Sequence, residues 1–248
     1  MTSRELYQAG KLDEAIQALG VEVRDNPGDA RRRTFLFELL CFAGDWERAA
    51  KHLNILAGEN KNTDLGAMLY RSALHADRQR HELFEKKEFP LGEVPEDHRG
   101  GTWTDAEGKS HPFTTIEDAD PRIGGRLEMF TAGAYMWMPF AHIDRIEIQK
   151  PSRLRDLLWS QALVRTGPAF KGTELGEILL PVISPFSFKH ADGNVRLGRM
   201  TVWEPEGEEA LPYGQRTFLI DGEDVPILEL RAVEFTQPPD SDDSAAGT

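Results

Sequence analysis

The sequence predicts a multi-domain chain of α and β parts: TPR-like α-helical hairpins followed by a β-rich, antiparallel, small-barrel-like domain. Three observations lead there. GKLDEAIQAL from Gly10 recurs as GDWERAAKHL from Gly44, a spacing of 34 residues, which is the period of a helix–turn–helix repeat. Beyond Pro90 the apolar spacing changes from 3.6 to 2. The later segments are short, β-rich and separated by turn dipeptides.

The helical elements follow in order. Thr2-Ser3-Arg4-Glu5 reads as a capping box that starts a first short helix. Leu12, Ala15, Ile16, Leu19 and Val23 share one helical face, as do Trp46, Ala49, Ala50, Leu53 and Leu56. Gly10 and Gly44 sit where the chain reverses, and Asp45 caps the helix that follows. Asn26-Pro27-Gly28-Asp29 breaks the chain, with Asp29 placed to cap ARRRTFLFELLCFA. That helix is apolar on most sides, as expected between two others, and Cys41 within it reads as a buried, inert thiol. A long closing helix is predicted from about Asp64, with Leu65, Met68, Leu69, Ser72, Ala76 and Leu83 in register, ending before Phe89-Pro90. HELFE at 81–85 lacks the second histidine of a zinc-protease HExxH and reads as a charged helix face.

In the second part, TWTDAEGKSHPF is a hairpin turning at Glu107-Gly108, and RLEMF and YMWMPF flank a second turn at Ala132-Gly133. RIEIQ alternates as a strand, and SRLRDLLW after Pro151 reads as a short helix. Further strands are GEILLPVIS, GRMTVW, RTFLI and ILELRAVEF, with Asp221-Gly222 turning between the last two. Pro181 predicts an edge strand or a bulge, because it cannot donate to a sheet ladder. The expected organisation is a helical domain over 1–89, a linker over 90–100, a β-rich domain over 101–236 and a disordered acidic tail over 237–248.

Charge is distributed unevenly. Residues 1–89 carry 14 Lys+Arg and 15 Asp+Glu, whereas the remainder carries 15 and 27, within a total of −13. An acidic second part repels phosphate backbones, and RRR at 31–33 reads as a solvated helix face, so no nucleic-acid partner is expected. No run of apolar residues suggests a membrane span, and no leader region suggests export. With one cysteine there is no disulfide framework. A cytoplasmic location is the expectation.

DADPRIGGRLEMFTAGAYMWMPF at 118–140 resembles the signature of the ImpE/TagJ family, accessory proteins of bacterial type VI secretion systems. LRDLLW, GEILLPVISPFS, RLGRMTVW, GQRTFLI and LELRAVEF are similar to later family segments and stand in family order, as do GKLDEAIQAL and the helices up to Phe84. The resemblance covers roughly residues 6–89 and 101–235. It implies a cytoplasmic, non-enzymatic adaptor that binds the small subunit of the contractile sheath through a helix near that subunit's N-terminus. It further implies an influence on sheath recycling by the ClpV ATPase, contacted indirectly. Family members usually carry more helical sequence where this chain has only Pro90 to Gly100. An amphipathic helix presenting i, i+3, i+4 and i+7 side chains would suit a groove between stacked hairpins.

The candidate partner contacts are Arg31 and Phe35 on the third helix, Trp46 on the fourth, and Trp137, Asp118 and Asp120 in the β-rich part. Trp137 belongs to Tyr135-Met136-Trp137-Met138-Pro139-Phe140, where core packing is the default and a contact role requires exposure. Two other readings stand beside the adaptor. One is a general helical-repeat scaffold for another complex. The other is a metal-dependent hydrolase centred on Asp118 and Asp120, although an isolated DxD before proline supplies few ligands and also reads as a polar turn tied to Arg122. Nucleophile-elbow, phosphate-loop and paired-cysteine motifs are not present in the sequence, and no cofactor is expected.

Overall fold

The computed structural model describes residues 1–58, 61–90, 99–168, 170–172 and 175–236, with residues 61–65 described by their backbone. Five helices come first: α1 (Ser3–Gln8), α2 (Leu12–Asp25), α3 (Ala30–Phe42), α4 (Trp46–Ala57) and α5 (Lys61–Lys86). Each packs against the next in sequence. The predicted caps are present: Thr2 and Glu5 close the capping box, and Asp29 and Asp45 accept from the backbone N–H groups of Arg32 and Arg48. Gly10 and Gly44 both take positive φ, +75° and +69°, in the turns that reverse the chain.

Among the described residues the strands are β1 (Gly101–Asp105), β2 (Ser110–Phe113), β3 (Ile116–Asp118), β4 (Arg126–Thr131), β5 (Ala134–Pro139), β6 (Ile143–Ile148), β7 (Trp159–Thr166), β8 (Gly176–Pro181), β9 (Thr201–Glu206), β10 (Glu209–Gly214), β11 (Thr217–Ile220), β12 (Glu223–Pro226) and β13 (Leu230–Phe235). A one-turn helix, α6 (Gly193–Arg196), precedes β9. Eight strands form one antiparallel sheet in the order β2-β1-β13-β6-β7-β8-β4-β5. Among the described residues its two edge strands do not pair with each other, so this antiparallel sheet is open and does not close into the small-barrel-like form expected. A three-stranded sheet, β12-β11-β3, and the β9–β10 hairpin complete the β part.

Both faces of the large sheet are covered at its β4–β5 end, which explains why β4 reads as a nearly continuous apolar run. Leu127 and Met129 point to a core shared with Phe218 and Ile220 of β11, whereas Phe130 joins Tyr135, Trp137, Trp159 and Leu179 in the core shared with the helices. The helices therefore share one hydrophobic core with one face of the sheet, and the other face closes a second core within the β part. Among the described residues, no helix is long and apolar enough to cross a membrane.

Several local expectations are corrected. Leu154–Leu157 is a single 3-10 turn, and Trp159 already belongs to β7. Pro181 lies on an interior strand; it is tolerated because it ends β8, and its carbonyl accepts from Arg216. The Asp221-Gly222 turn joins β11 to β12, with β13 following a further 3-10 turn. Arg33 is buried, 7% exposed, and donates to the Pro27 carbonyl, so RRR is not uniformly a solvated face. Most of the expected linker and all of the expected acidic tail lie outside the described residues.

Candidate functional site

Consecutive helices pack side by side, and the inner surface of such an array is where a foreign helix was expected. Much of that surface is taken by the protein's own β part. Phe188, from the 3-10 turn Ser187–Lys189, packs edge-on against Trp46 of α4 at 5.1 Å and His81 of α5 at 5.2 Å. Trp46 donates through Nε1 to Asp77 Oδ2 at 3.1 Å, and His81 Nδ1 donates to the Asp77 carbonyl at 2.8 Å. Burial lowers the affinity of the His81 ring for a second proton.

The two layers are fastened by buried ions. Arg80 of α5 holds Glu128 of β4 through two hydrogen bonds, and Arg216 reaches both Glu128 and Asp118. Burial alone would raise the Glu128 carboxyl, yet Arg80 and Arg216 bring it below its ordinary range. Asp118 behaves oppositely: burial pushes it up to about 6 even though Arg216 lies 2.5 Å away. Tyr135 donates to Glu128 Oε1 at 2.7 Å, and Trp137 donates to the Tyr135 hydroxyl.

What stays open is a furrow along the seam between the helices and the sheet. One cavity of about 490 Å³ lies between α3, α4, α5 and the Arg153–Arg155 turn, with Leu53, Leu56, Ala67 and Tyr70 in its walls. Past Leu69 and Gln161 it meets a second cavity of about 210 Å³, walled by Ser72, Phe130 and Leu179 and by Ala132-Gly133 of the β4–β5 turn. Met68 is 65% exposed and Leu69 is 42% exposed, with Ile55 of α4 also open to solvent. The register expected to bury Met68, Leu69 and Ser72 is thus partly uncovered. The buried line of α5 runs instead through Ala67, Tyr70, Ala73, Leu74, Asp77, Arg80 and Phe84. Leu69 lines both cavities, and Met68 and Ile55 are exposed outside their linings; exposed apolar side chains at a concave seam are the usual mark of a contact surface.

A third, more polar cleft of about 650 Å³ opens on the other side of Arg153 and Arg155, between α1, α3 and the 3-10 turn. Arg31 and Phe35 line it together with Tyr7, whose ring meets Phe35 edge-on at 5.6 Å.

The ImpE family model, described as "ImpE protein", matches residues 110–234, about half of the chain. Across 97% of this chain and 93% of the relative, the sequence is 31% identical to a Pseudomonas aeruginosa protein named type VI secretion system accessory component TagJ. The chain belongs to the ImpE/TagJ family. The X-ray crystal structure of a Vibrio parahaemolyticus protein superposes with a TM-score of 0.77 at 21% identity, covering 95% of this chain and 98% of that one. This last likeness speaks for the fold.

Within this ImpE-family structure the six candidate contacts separate into two groups. Arg31 is exposed, and Phe35 and Trp46 are half-buried; Trp46 is occupied by Phe188, so its ring is turned to its own chain. Trp137, Asp118 and Asp120 are 7%, 2% and 1% exposed, and so are interior in this structure. Trp137 stacks on Phe89 at 5.6 Å. Asp120 accepts from Arg122 through both oxygens and from the Arg122 backbone, while Asp118 accepts from the Asp120 N–H and from Arg216. These carboxylates hold the turn that leads into β4. Among the described residues no group of three or more His, Cys, Asp or Glu is placed to hold a metal ion.

The residues that sequence reasoning missed are Arg153 and Arg155, which separate the two openings, and Met68 and Leu69 as solvent-facing side chains. Arg153 and Arg155 carried a weak signal: two arginines two apart beside Leu154 and Leu157 point outward together in a turn, though not in a helix. Met68 and Leu69 carried none, because exposure of an apolar position depends on where the sheet happens to end.

Proposed function

We propose that this protein is a non-enzymatic accessory component of a type VI secretion system. It binds the amphipathic N-terminal helix of the small contractile-sheath subunit in the seam furrow, and through that contact influences sheath recycling by the ClpV ATPase. The TPR-like array supplies one wall and the β7–β8 and β4–β5 strands supply the other. The observation that carries this reading is the furrow left open at Leu69, where two adjoining cavities match the elongated footprint of a helix face. The relative named as an accessory component of that secretion system supports the setting.

A non-catalytic role is supported by the use made of the polar residues. Asp118 and Asp120 already face guanidinium groups in a buried network, leaving neither carboxylate open to a substrate. The test is capture of the purified small sheath subunit, intact and lacking its leading helix, by the full-length protein. Capture that requires the helix is expected; equal capture of both forms would contradict the proposal.

A further inference from the structure

The cleft between α1, α3 and the Leu154–Leu157 turn has a charge pattern that the helix-binding reading does not use. Four arginines from three separate segments line it: Arg4 from α1, Arg31 from α3, and Arg153 and Arg155 at the 3-10 turn. Among the described residues none of the four has a carboxylate within ion-pair distance. Some other arginines of this chain are paired, Arg32 with Glu22 and Asp29, Arg48 with Asp45, and Arg196 with Asp13, but those stand apart from one another, whereas these four line one cleft. In a chain with 42 acidic and 29 basic residues, four convergent arginines, with Glu38 the one carboxyl among the residues lining the cleft, are a concentrated positive site.

Two further observations sharpen it. Arg155 lies over the Tyr70 ring at 4.5 Å, and its buried Nε has no hydrogen-bond partner among the described residues. Glu38, the carboxyl at the cleft floor, is buried, and desolvation raises it to about 7 despite Arg155 and Arg153, so it only partly offsets the arginines near neutrality. The rest of the lining is mixed: Gln8, Thr34 and Ser152 are polar, while Tyr7, Phe35, Leu154 and Leu157 give it an apolar surface.

We propose that this cleft is a second docking site, for a carboxylate-rich peptide segment of a partner protein whose apolar side chains alternate with its acidic ones. Guanidinium groups recognise planar carboxylates through paired hydrogen bonds. The aromatic and leucine surface between them would be left unused by a bare inorganic anion. A nucleic-acid backbone would also meet the acidic field of the second part of the chain.

The probe is a short, fluorescently labelled peptide of alternating Glu and Leu, titrated into the full-length protein and followed by anisotropy. Its Lys–Leu counterpart and inorganic triphosphate serve as comparisons. The Glu–Leu peptide is expected to bind at least about tenfold more tightly than the Lys–Leu peptide, with affinity falling as salt rises. Arg31→Glu combined with Arg153→Glu, both at exposed positions, should remove that preference without altering the circular dichroism spectrum. Arg4→Gln, on the opposite lip, should weaken binding as an independent variant. Equal affinity for both peptides, or unchanged preference in the double variant, would overturn the proposal. So would displacement of the peptide by triphosphate at equal charge, which would mark the cleft as an anion site.

Discussion

Arg80 of α5 and Glu128 of β4 form a two-pronged ion pair, Nε to Oε1 at 2.5 Å and Nη2 to Oε2 at 2.9 Å, with both side chains almost wholly removed from solvent. The pair joins residues 48 positions apart and fixes the long helix over the strand that forms the far wall of the furrow. Arg80 also donates to the Ile183 carbonyl, so it ties together three segments.

Removing one member of a buried pair strands the other. Arg80→Ala should therefore destabilise the protein by about 3–5 kcal/mol. Arg80→Met with Glu128→Gln should lose less than the sum of the single changes, because neither leaves an unmatched charge beside the other. Urea unfolding of the four proteins measures the coupling; strict additivity would count against a fastening role.

Gly44 predicts a second effect. A Cβ built there would lie 2.5 Å from Cδ2 of Phe188, on a backbone with φ of +69°. Gly44→Ala should cost about 2 kcal/mol, from left-handed strain and from displacement of the phenyl ring. Gly20, inside α2, has nothing within 4 Å of its Cβ direction, and Gly20→Ala should stabilise by about 0.5–1 kcal/mol. Thermal unfolding distinguishes them by opposite signs.

Glu38 gives a pH dependence with a definite sign. Its folded-state pKa of about 7 lies above the ordinary 4.5, because burial outweighs the pull of Arg155 and Arg153, with Asp156 pushing the same way as burial. The folded state thus holds the proton more tightly than the unfolded chain, and this group's contribution to stability declines as pH rises from 4.5 to about 7. Glu38→Gln removes that decline. The variant should match the wild type in acid and exceed it by about 3 kcal/mol above roughly pH 8. Denaturant midpoints at the two extremes test this; a constant offset would refute it.

The 34-residue period, the capping boxes and the turn dipeptides were legible because each depends on neighbours along the chain. Ala15 and Ala49 are fully buried as their shared position in the repeat requires. The same glycines that reverse the repeat also seat the β part: Gly44 lies against Phe188 and Gly10 against Asn194. Nothing near Gly10 or Gly44 in the sequence announces that contact, since it is made by residues more than 140 positions away. The antiparallel pairing was legible but its open form was not, for a related reason: short strands and tight turns specify hairpins, while closure depends on whether distant edges such as β2 and β5 meet. The ion network around Glu128 was equally hidden. Its members are dispersed along the chain at Arg80, Asp118, Glu128 and Arg216, and each resembles an ordinary surface charge until the fold gathers them.

The most direct measurement of the central claim is calorimetric titration of the small sheath subunit's N-terminal helix peptide into the full-length protein and into a Leu69→Glu variant. Leu69 is 42% exposed and lines both cavities, so the variant should remain folded while placing a charge in the furrow. The account predicts saturable heat with the wild type and at least about a tenfold loss of affinity in the variant. Absence of heat at high micromolar peptide, or identical binding by both proteins, would contradict it.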